Sequence, residues 1–215
     1  MPDRDKELLC QTLSSLLSPP DQETIEQIDQ GRLYAFFKQY IPSWGGEAGI
    51  LDGLRTLRPP ENLLDELKGE YDRLFSDTGN EKISLVESFY KPWTMDPYCS
   101  LPFAAERGFL MGDSAIHLLT IYRQCGLEIA DPFAGMPDHI IIELEFLSHL
   151  YQRANDRQIK MFIEDHLDWI DHLKERCQRA NAHLFYTSLI DILNFFINTE
   201  KKRLEKECDG EKNIH

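Results

Sequence analysis

The stretch that most limits what this chain can fold into is Met136–Tyr151, MPDHIIIELEFLSHLY. After Pro137 it contains no glycine or proline for about four turns at 3.6 residues per turn. Ile140, Leu144, Leu147 and Tyr151 recur at helical spacing and make one apolar stripe. Pro137 suits a helix entrance, where its fixed φ is already right, and Asp138 stands where a carboxylate accepts from the first free backbone N–H groups. His139, Glu143 and Leu150 run along the flank of the stripe, with His139 and Glu143 four apart and close enough to pair. A helix entrance needs a cap. It does not need an Asp-His pair followed by a glutamate on the edge of the core.

The remainder of the chain also reads as helices. Residues 5–18 place Leu8, Leu9, Leu13, Leu16 and Leu17 on one side; Pro19 and Pro20 end that helix, and Asp21 caps the next, which stops at Gly31. Leu33–Ile41 is a short aromatic helix, 43–49 a loop, and 50–57 a short segment closed by Pro59 and Pro60. Glu61–Phe75 repeats Leu63, Leu64, Leu67, Tyr71, Leu74 and Phe75 on one broad face. From Ser76 to Phe103 no helical repeat fits. Leu85, Phe89, Tyr90, Trp93 and Tyr98 make that segment too apolar for a free linker, so it is expected to be ordered over the helices and extended in places. A second helical set follows, with a stop at Gly126, the loop 127–135, and the organising helix. Asp156 then caps a helix striped by Ile159, Ile163, Leu167, Ile170 and Leu173, and a last helix runs from Asn181 to about Glu207. The expected fold is all-α, a single helical domain of about eight to ten helices over 1–207, as one body or as two lobes with a hinge before Met136, followed by a polar tail, 208–215.

Charge narrows the partners. The formal net charge of −14 makes nucleic acid and anionic membrane surfaces poor partners and a basic peptide a better one. No run approaches the ~20 apolar residues of a membrane span, so direct membrane insertion is not expected. The N-terminus lacks the apolar core of a secretion signal, and the five cysteines are scattered with no CxxC, as expected of free thiols in a reducing cytoplasm.

Catalytic patterns are weak. Four-helix carboxylate metal sites use Glu-x-x-His pairs; here His139 and Glu143, and Glu145 and His149, are each four apart and the two pairs do not share a face. Glu145 and His149 read as a solvated salt pair. Neither GxxxxGK[ST], GxGxxG nor GxSxG occurs. No catalytic residue, metal or cofactor is assigned, and the enzymatic alternative is a small helical enzyme or ligand-binding protein using His139 and Glu143 as acid and base.

Three places together resemble the TorD/DmsD/NarJ family of molybdoenzyme maturation chaperones. The first is Tyr71-x-x-Leu74-Phe75 at a helix end. The second is Leu85–Tyr90, similar to the family's extended P-x-x-S-x-[YW] segment, with Val86 where many relatives have proline. The third is Pro137-Asp138-His139 with Glu143, Leu144, Phe146 and Leu147. Order and separation match over 61–197. The resemblance implies a cytoplasmic, client-specific chaperone. It would hold the apo form of a molybdopterin-containing oxidoreductase and bind its N-terminal leader, often of twin-arginine type, until cofactor is inserted. A groove bordered by Phe75, Tyr90 and Trp93 would take the apolar part of the leader and Glu87, Asp138 and Glu143 would meet its arginines, with Tyr71, Leu74, Ser88 and His139 as further leader-binding candidates. The chain is expected to be mostly monomeric with a minor dimer.

Overall fold

Ile140–Arg153 is a helix whose apolar residues reach well beyond one stripe. Ile140, Leu144, Leu147 and Tyr151 are buried as the spacing predicts, and so are Ile141, Phe146 and Ser148. A helix covered on most sides is the centre of its unit. The computed structural model describes residues 3–55, 62–76 and 83–211. Among these the α-helices are α1 (Asp3–Leu16), α2 (Gln22–Asp29), α3 (Arg32–Tyr40), α4 (Leu63–Phe75), α5 (Asp113–Gln124), α6 (Ile140–Arg153), α7 (Asp156–His166), α8 (Ile170–Arg179) and α9 (Leu184–Glu211). The protein is all-α, with no β-strand among the described residues. Pro59, Pro60 and Glu61, and residues 77–82 of the irregular segment, lie outside the described residues, as do 212–215 of the polar tail, whose first residues extend α9.

The chain forms two compact units. The first comprises the described parts of Met1–Ser14 and Ser84–Trp169; the second those of Ser15–Ile83 and Ile170–His215. The chain therefore passes from one to the other at three points, none of them the expected hinge before Met136. That stretch is fastened inside the first unit. Leu127 N donates to Tyr122 O at 2.9 Å, and the Tyr122 hydroxyl donates to Pro137 O at 3.2 Å.

In the first unit α6 is lined by α1, where Ser14 Oγ donates to Ile141 O at 3.3 Å and Gln152 Nε2 donates to Glu7 Oε1 at 2.8 Å. Phe146 of α6 packs against Tyr122 of α5 and Phe162 of α7, with ring centroids 4.9 and 5.1 Å apart. The expected single helix over Ile159–Leu173 is two. Asn155, not Asp156, is its cap: Asn155 accepts from Gln158 N while Gln158 Oε1 accepts from Asn155 N, a reciprocal pair that satisfies two end donors. The break comes after His166, where Trp169 Nε1 donates back to His166 O at 2.9 Å and the indole stacks on Tyr90 at 4.8 Å.

Over the described residues 83–103 the irregular segment is held by specific bonds. Trp93 N and Thr94 N donate to Glu106 O and Ala104 O, both at 2.9 Å, and Asp113 accepts from Thr94 Oγ1 and Met95 N. Leu85 and Tyr90 are buried as expected, but Tyr98 is 91 % exposed and does not cover a helix.

In the second unit the turn containing Gly53 presses on α9. A Cβ at Gly53 would come 2.0 Å from Leu184 O, and Gly53 N donates to Ser188 Oγ at 2.9 Å. Only glycine permits that approach. The Tyr186 hydroxyl of α9 donates to Leu67 O of α4 at 2.8 Å.

Candidate functional site

Two of the three resembling stretches are bonded to each other. Glu87 N donates to Asp138 O at 2.9 Å and Ile140 N to Leu85 O at 2.8 Å, an isolated antiparallel bridge that sets Val86 opposite His139. The bridge uses neither partner's own N–H at Val86, which donates locally to Ser84 Oγ at 3.1 Å. A proline, which has no N–H, would fit the same geometry.

Asp138 does not cap α6. Its Oδ2 accepts from Ser88 N at 2.8 Å and from Ser88 Oγ, so the carboxylate fastens the 87–89 turn to the helix entrance. The cap is His139, whose Nδ1 accepts from Ile141 N at 3.3 Å. His139 is therefore the tautomer with its proton on Nε2. Burial drives its pKa down to about 4, so the ring is neutral near pH 7.

Glu87, Asp138 and Glu143 are each 0 % exposed. Glu87 is compensated: Oε2 faces His166 Nδ1 at 3.0 Å and Oε1 faces Lys91 Nζ at 2.5 Å. Lys91 also reaches Asp168 Oδ1 and Asp165 O, each at 2.7 Å. Burial disfavours its ammonium, but the charge of Glu87 and the bonds to Asp168 and Glu87 outweigh that and raise its pKa. Asp138 is shifted upward by burial, against the Ser88 bonds that favour its anion. Glu143 lies well above the usual carboxylate range because it is buried and because Glu87 and Asp138 are near. The shift favours its neutral form, its Oε2 accepts from Trp169 Nε1 at 3.3 Å, and its Oε1 meets no hydrogen-bond partner among the described residues. Oδ1 of Asp138 meets no donor among the described residues.

His139 and Glu143 thus have separate partners and do not form the expected pair, so the acid–base alternative lacks its geometry. Among the described residues no group of three or more His, Cys, Asp or Glu is arranged to hold a metal ion. No described helix is long and apolar enough to cross a membrane.

Of the other expected residues, Tyr90 is buried, with its hydroxyl donating to Ser84 O at 2.7 Å. Trp93 is half-buried, with Phe103 edge-on at 5.2 Å and Phe109 a further 5.2 Å from Phe103. Tyr71, Leu74 and Phe75 belong to the second unit. Leu74 is buried there, and the half-buried rings of Tyr71 and Phe75 meet Tyr186 at 6.2 and 5.6 Å. Sequence reading missed Lys91, His166, Trp169 and His117, the last within 2.9 Å of His166 Nε2. Lys91, four residues after Glu87, was legible as its partner. Nothing local marks His166 or Trp169, which reach Glu87 and Glu143 only through the fold.

The nitrate reductase delta subunit family model matches residues 46–185, which include all three resembling stretches. Similar curated proteins are the chaperone protein TorD of Shewanella piezotolerans, 22 % identical over 93 % of this chain and 92 % of that protein, and that of Shewanella sp. strain MR-4, 26 % identical over 93 % of each. TorD of Vibrio cholerae serotype O1 strain M66-2 is 28 % identical over 74 % of this chain and 77 % of its own length. The chain belongs to this TorD/NarJ family, and is a molybdoenzyme maturation chaperone and not an enzyme.

Proposed function

We propose that this chaperone is cytoplasmic and client-specific, that it binds the N-terminal leader of a molybdopterin-containing oxidoreductase together with the apo form of that enzyme's catalytic subunit, and that it holds them until cofactor is inserted and export can proceed. The observation that supports this reading is the interlock of Leu85–Tyr90 with Pro137–His139 through Asp138 and Ser88, which joins two of the stretches that carry the family resemblance. Burial divides the work among the candidate residues. Glu87, Ser88, Tyr90, Asp138 and Glu143 are enclosed and hold the frame. Trp93 and the 9 % exposed edge of His139 meet the peptide. The half-buried rings of Tyr71 and Phe75, with Leu74 behind them in the core, are a separate apolar candidate on the second unit taken by itself. The −14 net charge draws in the arginines of the leader. The chaperone acts mostly as a monomer.

Titration calorimetry with a synthetic leader, a paired-arginine stretch followed by an apolar core, tests the reading. Binding is expected to be micromolar or tighter and to weaken as salt rises. Trp93→Ala is expected to weaken it by about tenfold, the scale of a partly buried aromatic anchor. A parent protein that retains neither the leader nor the apo subunit would falsify the proposal.

A further inference from the structure

Helix α6 has a second face that the buried carboxyl groups do not use. Ile142, Glu145, Phe146 and His149 share one side of it, and with Tyr122 and residues of the loop 127–133 they enclose a cleft of about 360 Å³. Its floor is apolar: Phe146 is buried, with its ring 4.9 Å from that of Tyr122, and half-buried Ile142 and Phe133 form the walls. Its rim carries one sign of charge. Glu128 and Glu145 are exposed there, and no lysine or arginine is among the described residues that line the cleft.

Glu145 and His149 were expected to be a solvated salt pair, but they border this cleft and are not bonded to each other among the described residues. The Glu145 carboxyl lies above its ordinary range because of partial burial, with a bond to Ser14 working the other way. A carboxylate partly removed from water, with no cation among the residues beside it, gains from one delivered by a ligand. The volume is at the small end of the ~300–1,000 Å³ typical of ligand pockets, enough for one or two bulky side chains and not for a whole helix. The cleft also abuts the helix entrance. The hydroxyl of Tyr122, on the floor, donates to Pro137 O, and the ring of Phe133, in the wall, lies 5.0 Å from that of His139.

We infer that this cleft is a docking site for the basic-to-apolar junction of the client leader, a large apolar side chain seated on Phe146 and Tyr122 with an adjacent arginine or lysine at Glu128 and Glu145. The occupant rests on the functional reading above. The apolar floor selects against a purely polar ligand, and the acidic rim selects against phosphates and acidic peptides. Because Phe133 and Tyr122 touch the Pro137–His139 segment from behind, filling the cleft bears on the same entrance that Asp138 fastens from the front.

The test is fluorescence anisotropy of a labelled synthetic leader with a benzophenone at its first apolar residue after the paired arginines. Cross-links are expected within residues 127–149. The double variant Glu128→Gln, Glu145→Gln should weaken binding about three- to tenfold at low salt. The same double variant should change nothing for a leader whose arginines are replaced by neutral citrulline. Ala130→Trp, which fills the cleft from its exposed wall, should weaken binding by about tenfold or more. If Ala130→Trp fails to fold, the two exposed glutamates still decide the matter. A parent that binds while the double variant binds equally well and the cross-links fall elsewhere overturns this site and leaves the chaperone reading standing. A parent that does not bind the leader overturns the functional reading and this occupant with it.

Discussion

The two units put their carboxylates to opposite use. In the second unit Glu70 accepts from Arg73 Nε and Nη2 at 2.7 and 2.8 Å and from His183 N at 2.6 Å. The bonds from Arg73, against partial burial and with further help from His183, hold its pKa below the ordinary value. In the first unit Asp138 and Glu143 are buried with their pKa values pushed up, and Asp138 keeps an oxygen without a donor among the described residues. The first arrangement ties the end of α4 to the turn before α9 in its most comfortable charge state. The second keeps acids where water would ionise them. Perturbed groups of that kind concentrate at functional sites, and here Asp138 and Glu143 belong to one of the stretches that carry the family resemblance.

The largest expected effect comes from removing the anion that compensates the first unit's buried cluster. Glu87→Ala leaves Lys91 and buried His166 facing each other without it, and should cost about 3–5 kcal/mol in chemical denaturation. Glu143→Gln sharpens the contrast, since Gln cannot ionise and replaces an acid whose neutral form burial favours. The folded pKa of Glu143 is above its ordinary 4.5, so its contribution is fully present below pH 4.5 and is lost as pH rises towards the folded value. The variant should show a shallower loss of stability on the alkaline side. A variant with the parent's full alkaline slope would mean that Glu143 is ionised in the fold.

His139 gives the next effect, of opposite sign. Its folded pKa of about 4 lies below the unfolded value of 6.5, so its contribution is present above pH 6.5 and is lost as pH falls towards 4. Over that interval the loss is about 2–3 kcal/mol at 1.36 kcal/mol per unit. His139→Asn keeps a side-chain cap for Ile141 N and removes the titration. Its stability should change less between pH 6.5 and 4 than that of the parent, read from denaturation midpoints across the range.

The helical periodicities foretold the fold class because they report burial, and Ile140, Leu144 and Leu147 are buried where their spacing put them. Spacing was silent on which polar group would cap. Asp138 and His139 are both chemically able to cap α6, and the choice fell to His139 because Ser88, fifty positions away, claims the carboxylate. The α7–α8 break was hidden for a similar reason. The stripe from Ile159 to Leu173 continues through it, and only the indole of Trp169, turned onto Tyr90, shows why the chain leaves the helix. The candidate site was legible as a set of residues but not as a division of labour, because burial of Glu87, Asp138 and Glu143 depends on elements far along the chain.

The smallest expected effect belongs to the second unit. Glu70→Gln keeps a neutral oxygen able to accept from His183 N and loses the charge that Arg73 grips in a two-bond fork. The Arg73 side chain is 33 % exposed, so solvent screens the pair and the loss at neutral pH should be about 1 kcal/mol. The folded pKa of Glu70 is below 4.5, so the parent's advantage is present above that pH and disappears as pH falls through the folded value. Acid therefore removes a contribution of Glu70 in one unit while it favours the protonated Glu143 of the other. Denaturation of parent and Glu70→Gln at neutral and strongly acidic pH measures this directly. The two should differ at neutral pH and converge in acid, and a constant gap at both would show that Glu70 acts through its shape and not its charge.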